Sequence, residues 1–433
     1  LPVAASVALA LAGLGPVQAS GLVGGRAAHL AAAAPIAAAT SARLDNGTEK
    51  AELTFDLTNA VAPNAYVLAD PDRIIVDLPE VTFLVDPPSA RPAMRHRRRA
   101  RTADLVASYR FGLVAPGRSR IVADLAAPAR IVSAGIAMSG GKPRLVVVLA
   151  RTDAASFRAA ARSHALVAAA PPVETLNAPQ APGLATIVID AGHGGPDTGA
   201  IVNGVVEKEV TLAFAKALAA KLTAHGGFNV VMTRADDVFI PLSGRVQVAR
   251  DAKAALMVSV HADTLPDSAD VSGATVYTVS DKASDAYAAK VAAKENAADA
   301  AAGSESQADT ADVNDILFDL TRQETRAYSH VFARTLVNYW KVAGRLNKNP
   351  QRSAGFVVLK APDVPSVLVE LGYLSSPVDS AALTSEAWRG TASGRMAEAI
   401  EAYFADRNGP AKAAAGVPIP LRQADADAAA GAK

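Results

Sequence analysis

Apolar and polar residues alternate with a period of two along residues 41–151, in short runs such as AELTFDL, RIIVDLP, RIVADL and PRLVVVLA separated by turn residues. Successive side chains of a strand point to opposite faces, so this pattern predicts a small all-β sandwich. Past residue 185 the pattern changes. Apolar, β-branched runs of strand length (Thr186–Asp190, Asn229–Arg234, Ala255–His261, Gly273–Ser280) alternate with segments of helical period (Glu209–Ala224, Ser243–Ala252). Strands are expected again at Phe356–Leu359 and Ser366–Leu371, with a long helix near Val313–Lys341 and a closing helix at Ser385–Phe404. Alternating strands and helices predict an α/β domain over 186–407, three layers around a mixed central sheet.

The remaining segments lack such periods. Val3–Leu14 is apolar and Val17-Gln18-Ala19 offers small residues before Ser20, so 1–19 is expected to be the remnant of a secretory signal peptide, not an integral membrane span. An Ala/Gly-rich segment fills 20–40. Residues 152–185 are Ala/Pro-rich and predict an interdomain linker, and 408–433 a disordered tail. Arg91–Arg101, RPAMRHRRRAR, is a basic run without interleaved aromatics, expected to be a solvated insertion. The formal net charge of +1 gives no argument for nucleic acid as a partner.

Candidate chemistry concentrates where strands end. Two apolar runs deliver a histidine, His193 in the glycine-rich loop AGHGGPDTGA and His261 in VSVHAD. The other five of the seven histidines end no apolar run. In open α/β sheets ligands bind outside the carboxyl ends of strands, so His193 and His261 are candidate metal ligands. A hydrolytic zinc site commonly has three protein ligands, often His, His and Glu, and Glu207 and Glu209 are the nearest acids. Glu370 interrupts the apolar run SVLVEL, where a carboxylate is costly to bury unless paired, metal-adjacent or sharing a proton. The chain contains no cysteine, which excludes a Cys–His hydrolase and any disulfide framework. Position 197 is Asp, so Gly192-x-Gly194 does not extend into a dinucleotide-binding G-x-G-x-x-G.

The segments VIDAGHGGPDTGA (Val188–Ala200), VEKEVTLAFAKAL (Val206–Leu218), VVMTR (Val230–Arg234), VSVHAD (Val258–Asp263) and GFVVLKAPDVPSVLVELGYLSSP (Gly355–Pro377) occur in an order that resembles the zinc-dependent N-acetylmuramoyl-L-alanine amidases of the periplasmic AmiA/AmiB/AmiC type. They span about half of the chain. The resemblance implies one Zn2+ held by His193, Glu207 and His261, with Glu370 as catalytic proton acceptor and donor. Glu209 is then a first-turn acid favoured by the helix macrodipole. The implied reaction is cleavage, by zinc-activated water, of the amide between N-acetylmuramic acid and L-alanine of the stem peptide, in septal wall splitting and daughter-cell separation. Zinc and a glutamate alone do not choose among amides, so a zinc-dependent peptidase of envelope peptides is the alternative, and a catalytically silent envelope-binding protein a second.

Further expectations accompany the resemblance. DPDRIIVDLPEV (Asp70–Val81), ASYRFGLVAPGRSRIVADL (Ala107–Leu125) and PRLVVVL (Pro143–Leu149) are similar to the AMIN domain, which implies a peptidoglycan-binding tether. The alanine-rich stretch 281–312 lies where AmiB/AmiC-type enzymes carry an autoinhibitory helix, and Glu295 matches the glutamate that closes the zinc's open position. Displacing it implies a LytM-domain activator as partner, in the periplasm. Arg245 opens RVQVAR where the family has R-V-x-x-A-N, and is a candidate for a substrate carboxylate or a structural ion pair.

Overall fold

The computed structural model describes residues 36–85, 104–165, 183–264, 271–304 and 316–408. The expected signal remnant, the arginine run 91–101, most of the expected linker, residues 305–312 of the expected insertion and the tail lie outside them.

The alternating region folds as two packed sheets. β1 (Ala37–Asn46), β2 (Lys50–Leu57), β5 (Val81–Phe83), β8 (Ala129–Ser139) and β9 (Lys142–Arg151) form one, in the order β5-β1-β2-β9-β8. β3 (Asn64–Leu68), β4 (Arg73–Pro79), β6 (Val106–Ala115) and β7 (Arg118–Leu125) form the other, ordered β3-β4-β7-β6. Leu53, Phe55, Leu145 and Val147 of the first sheet meet Ile74, Val76, Phe111 and Ile121 of the second in one core. The second sheet is apolar on its outer face too, where Leu68, Ile75 and Val122 form a separate cluster.

Two boundaries differ from expectation. β1 begins at Ala37, inside the segment read as aperiodic, because Ala37 and Ala39 pack into the core at 3% and 0% exposure. α1 (Ala154–Ala165) occupies the start of the expected linker, and its Phe157 and Ala161 are buried in the same core. An Ala-rich segment has high helix propensity, and one phenylalanine suffices to dock it.

The α/β domain has the predicted three layers. Its sheet runs β13-β10-β14-β17-β15-β16, built from β10 (Ala185–Ala191), β13 (Phe228–Met232), β14 (Leu256–His261), β15 (Ala274–Val279), β16 (Leu346–Ala354) and β17 (Ser366–Glu370). β13, β10, β14 and β17 are mutually parallel, and β15 is antiparallel to β17, so the sheet is mixed. A small hairpin, β11 (Ile201–Val202) and β12 (Val205–Val206), leads into α2 (Glu207–His225). The three central strands are buried on both faces, which is why they read as continuous apolar runs. Ile187, Val258 and Val367 face α2, α6 (Ile316–Trp340) and α8 (Glu386–Asn408), through Phe214, Phe332, Leu336 and Ile400. Val188, Met257 and Leu368 face α3 (Leu242–Asp251) and α4 (Ala286–Glu295). The short helices α5 (Ala298–Ala301) and α7 (Pro377–Leu383) complete the domain.

Phe356–Leu359, expected as a strand, is instead a 3₁₀ turn at Val357–Leu359, and the strand lies just before it in β16. β16 reads LNKNPQRSA and is the sheet's edge strand, where polar residues and a proline are tolerated, so it carries no apolar signature.

The two domains touch. The amide of Phe239 donates to the Leu113 carbonyl at 2.9 Å, and β6 approaches the His193 loop so closely that a Cβ on Gly112 would lie 2.3 Å from the Gly195 carbonyl carbon. Among the described residues, no helix is long and apolar enough to cross a membrane.

Candidate active site

The sheet order places β10, β14 and β17 side by side and parallel, so their carboxyl ends share one rim. Chain direction changes sides at β10, since β13 lies on one flank and β14 on the other. That is the crevice where α/β sheets bind ligands. β14 ends in His261, β17 ends in Glu370 directly opposite it in register, and β10 runs out two residues before His193. His193 has a left-handed backbone, φ +62°, a strained state for a residue with a Cβ and one that aims its ring back over the strand ends. Glu207 is the first residue of α2, and its carboxylate turns back to accept from the amides of Ala200 at 2.8 Å and Ala262 at 2.9 Å. Gly199, at φ +63°, makes this possible: a Cβ there would sit 2.6 Å from both Glu207 Oε2 and His193 Cδ2.

These placements bring His193, Glu207, His261 and Glu295 together, each offering a ligand atom within 4.8 Å of the others. His193 Nε2 lies 3.1 Å from Glu207 Oε1 and 3.4 Å from Glu295 Oε2, and His261 Nδ1 lies 3.4 Å and 2.9 Å from the same two oxygens. All four residues are buried. Burial pushes both imidazoles down, but the carboxylates outweigh it: Asp197, Glu207 and Glu295 hold His193 well above the usual histidine range, and Glu295 and Glu207 raise His261 to about 10. In turn the two histidines hold Glu207 well below the carboxylate range against the effect of burial. The pocket is a trap for positive charge.

Glu370 is fully buried, and its Oε2 accepts from the Asp263 amide at 3.0 Å. Burial pushes its carboxyl up to about 8; His261 opposes the shift, while Glu295 and Glu207 add to it. It shares the pocket with Asp263 and Glu295, their oxygens all within 4.8 Å. Glu295 is the last residue of α4, whose amino end is capped by Asp285 accepting from the Ala288 amide at 2.9 Å. Asn296 fixes the other end, donating to the Gly355 carbonyl and accepting from the Val357 amide at 2.9 and 2.8 Å. Lys294 forms an ion pair with Asp263.

Arg245 is not at the pocket's mouth. It is 2% exposed and donates to Asp190 Oδ1 and to the carbonyls of Ala191, His193 and Ile240, so it buttresses the His193 loop from below. Glu209 is exposed in the first turn of α2, away from the cluster. Sequence reasoning missed two residues. Asp197 accepts from His193 Nδ1 at 2.9 Å, and Asp263 links Glu370 to Lys294. An acid four residues after a loop histidine was the available signal for Asp197; the partner of Asp263 is fixed only when α4 packs.

Residues 187–402 match the family described as N-acetylmuramoyl-L-alanine amidase. The chain is 32% identical over 370 residues to the N-acetylmuramoyl-L-alanine amidase AmiC of Escherichia coli O6:H1, covering 82% of this chain and 86% of that protein. It is 31% identical to AmiC of Neisseria meningitidis serogroup B, covering 84% and 89%. Among solved structures, the catalytic domain of CwlV, an N-acetylmuramoyl-L-alanine amidase from Bacillus (Paenibacillus) polymyxa var. colistinus, is 26% identical and covers 51% of this chain and 98% of that one, with a TM-score of 0.39. The AmiC similarity extends over both domains, and the matched family covers the whole rim on which His193, His261 and Glu370 meet. The chain therefore belongs to the AmiA/AmiB/AmiC-type N-acetylmuramoyl-L-alanine amidases.

Proposed function

We propose that the chain hydrolyses the amide between N-acetylmuramic acid and L-alanine in peptidoglycan with one zinc ion held by His193, Glu207 and His261. One observation carries this reading: His193 Nε2, His261 Nδ1 and the Glu295 carboxylate crowd one buried pocket at 2.9–3.4 Å without hydrogen-bond geometry, each residue offering a ligand atom within 4.8 Å of the others. Leaving such atoms unsatisfied costs about 1–3 kcal/mol each, which a cation removes. Two imidazole nitrogens with carboxylate oxygens suit zinc. When bound, zinc supplies Lewis acidity to the amide carbonyl and acidifies water.

The chain's own residues do the rest. Glu370 is a carboxyl whose burial lifts it to about 8, close to neutrality, which suits a group that takes a proton from water and returns it to the leaving amine. The Asp263 amide holds one of its oxygens, and Oε1 has no partner and is left to work. Mass spectrometry of muropeptides digested by the zinc-loaded chain tests the reaction. Free stem peptide and intact glycan are expected; shortened stems still attached to glycan would favour a peptidase. Glu370→Gln should keep zinc and lose turnover, and His193→Ala should lose both.

We further infer that the full chain is self-inhibited. Glu295 reaches the same histidines as Glu207 and fills the position that water and substrate need. The helix beneath it buries only Ala288, Val291 and Ala292 besides Glu295 itself, a modest apolar contact for a partner to overcome. By family resemblance that partner is a LytM-domain activator, the compartment is the periplasm, the setting is septal wall splitting, and the AMIN-like β-domain is a peptidoglycan tether. Glu295→Ala should release labelled wall fragments faster than the parent with zinc still bound. Equal rates would remove Glu295 from regulation.

A further inference from the structure

The segment that follows Glu295 does not hang free. Residues Ala298–Gly303 run onto the outer face of the β3-β4-β7-β6 sheet, away from the sandwich core. Three arginines on neighbouring strands each reach a carbonyl at its carboxyl end: Arg73 of β4 donates to Ala300, Arg110 of β6 to Ala301, and Arg120 of β7 to Gly303 at 2.9 Å. The last carbonyls of a helical turn are left wholly or partly unsatisfied, and cationic donors are their natural caps; the Ala300 carbonyl also accepts from the Gly303 amide at 3.0 Å, so Arg73 takes its second lone pair. Arg110 and Arg120 are held in position by Asp124 and Asp77. Ala302 is fully buried, and Gly303, at φ +69°, lies so flat on the apolar patch that a Cβ would come 2.4 Å from Ile75 Cδ1 and 3.1 Å from Val122 Cγ2. On the other side, Asp299 accepts from the Leu242 amide at 2.9 Å, seating the segment between the two domains.

We propose that this face of the β-domain is a latch: it grips Ala298–Gly303 and thereby holds α4, with Glu295, in the closed position. The β-domain is then part of the off-state, and an activator must work against its grip as well as against the packing of α4. The effect on activity rests on Glu295 being the blocking group; the docking itself does not. A ligand that covered the same arginines would loosen the latch.

The test uses the full chain in four forms: parent, Arg73→Ala/Arg120→Ala, Gly303→Val and Glu295→Ala. Gly303→Val substitutes no β-domain residue, so it covers the case in which the double arginine variant unfolds that domain. Hydrogen exchange over residues 296–304 and dye release from labelled peptidoglycan are measured on the same preparations. Both latch variants should lose protection in 296–304 by ~10-fold or more and release dye faster than the parent. Unchanged exchange in both variants overturns the latch. Lost protection with parental dye release, while Glu295→Ala is fast, overturns its regulatory role. If Glu295→Ala is as slow as the parent although the latch variants lose protection, the blocking assignment fails and the docking stands.

Discussion

Asp197 offers the sharpest test of how the pocket is held. Its Oδ2 lies 2.9 Å from His193 Nδ1, both side chains are 5% exposed, and its Oδ1 accepts from the Gly199 amide at 3.2 Å. The carboxylate thus fixes the ring that presents Nε2 to Glu207 and Glu295, and it ties down the loop that carries the ring. His193 holds Asp197 below the usual carboxylate range despite its burial, so it is ionised at neutral pH. Asp197→Asn keeps the shape and an acceptor oxygen but removes the charge; Asp197→Ala removes both, along with the bond from Gly199. Outer partners of metal-binding histidines are generally worth 10–100-fold in metal affinity, or about 1.4–2.7 kcal/mol. A hydrogen bond to a charged group contributes about 1.5–3 kcal/mol, the same range. Zinc affinity measured by competition with a chromophoric chelator should therefore fall ~10–100-fold in Asp197→Asn, and the metal-free protein should also melt lower, because the buried His193–Asp197 pair loses its negative partner. Asp197→Ala should weaken zinc at least as much and also lower the melting temperature of the metal-free protein. If Asp197→Asn binds zinc within about threefold of the parent, the His193 ring is oriented by something other than the Asp197 charge.

Two other outcomes follow from the packing. Asp190 is fully buried against Arg245, Ser259 and Thr233; burial raises its pKa, but Arg245 first and then the two hydroxyls bring it below 3.8. A depressed carboxyl contributes stability above its unfolded pKa and loses it as pH falls through the folded value, so Asp190→Asn should be destabilised at neutral pH by about 3–5 kcal/mol, through the stranded Arg245, and its deficit relative to the parent should shrink in acid. Urea midpoints of the two proteins that stay equally far apart down to pH ~2 would contradict this. Phe157→Ala, in the helix that closes the β-domain core, should cost about 3–5 kcal/mol in thermal or urea unfolding of that domain; a loss under about 1 kcal/mol would mean α1 is not part of the core.

The periods of the chain were enough to state two domains, one all-β and one three-layered α/β, because burial on one face of a strand or on both leaves different patterns in sequence. They also pointed to His193, His261 and Glu370, since a polar residue that ends or interrupts an apolar run stands out locally. Elements stabilised by few or polar contacts escaped. β16 is polar because it is an edge strand, and α1 resembles a linker because Phe157 is its only large anchor. The turn at Val357–Leu359 is apolar because it is buried, not because it pairs.

What the tertiary structure alone decided is proximity. No local pattern says that β10, β14 and β17 are neighbours, yet that order is what sets the two histidines and Glu370 on one rim. Glu295 and Glu209 are both acids on helices, and only packing separates them: one is 3% exposed and faces two imidazoles, the other is at the surface. The same holds for Arg73, Arg110 and Arg120, which in sequence are polar positions of alternating strands and in the fold reach the carbonyls that follow the Glu295 helix. Sequence records how each residue is solvated relative to its neighbours in the chain; pairing between distant segments arises only when burying their apolar faces brings charges and carbonyls within hydrogen-bond reach.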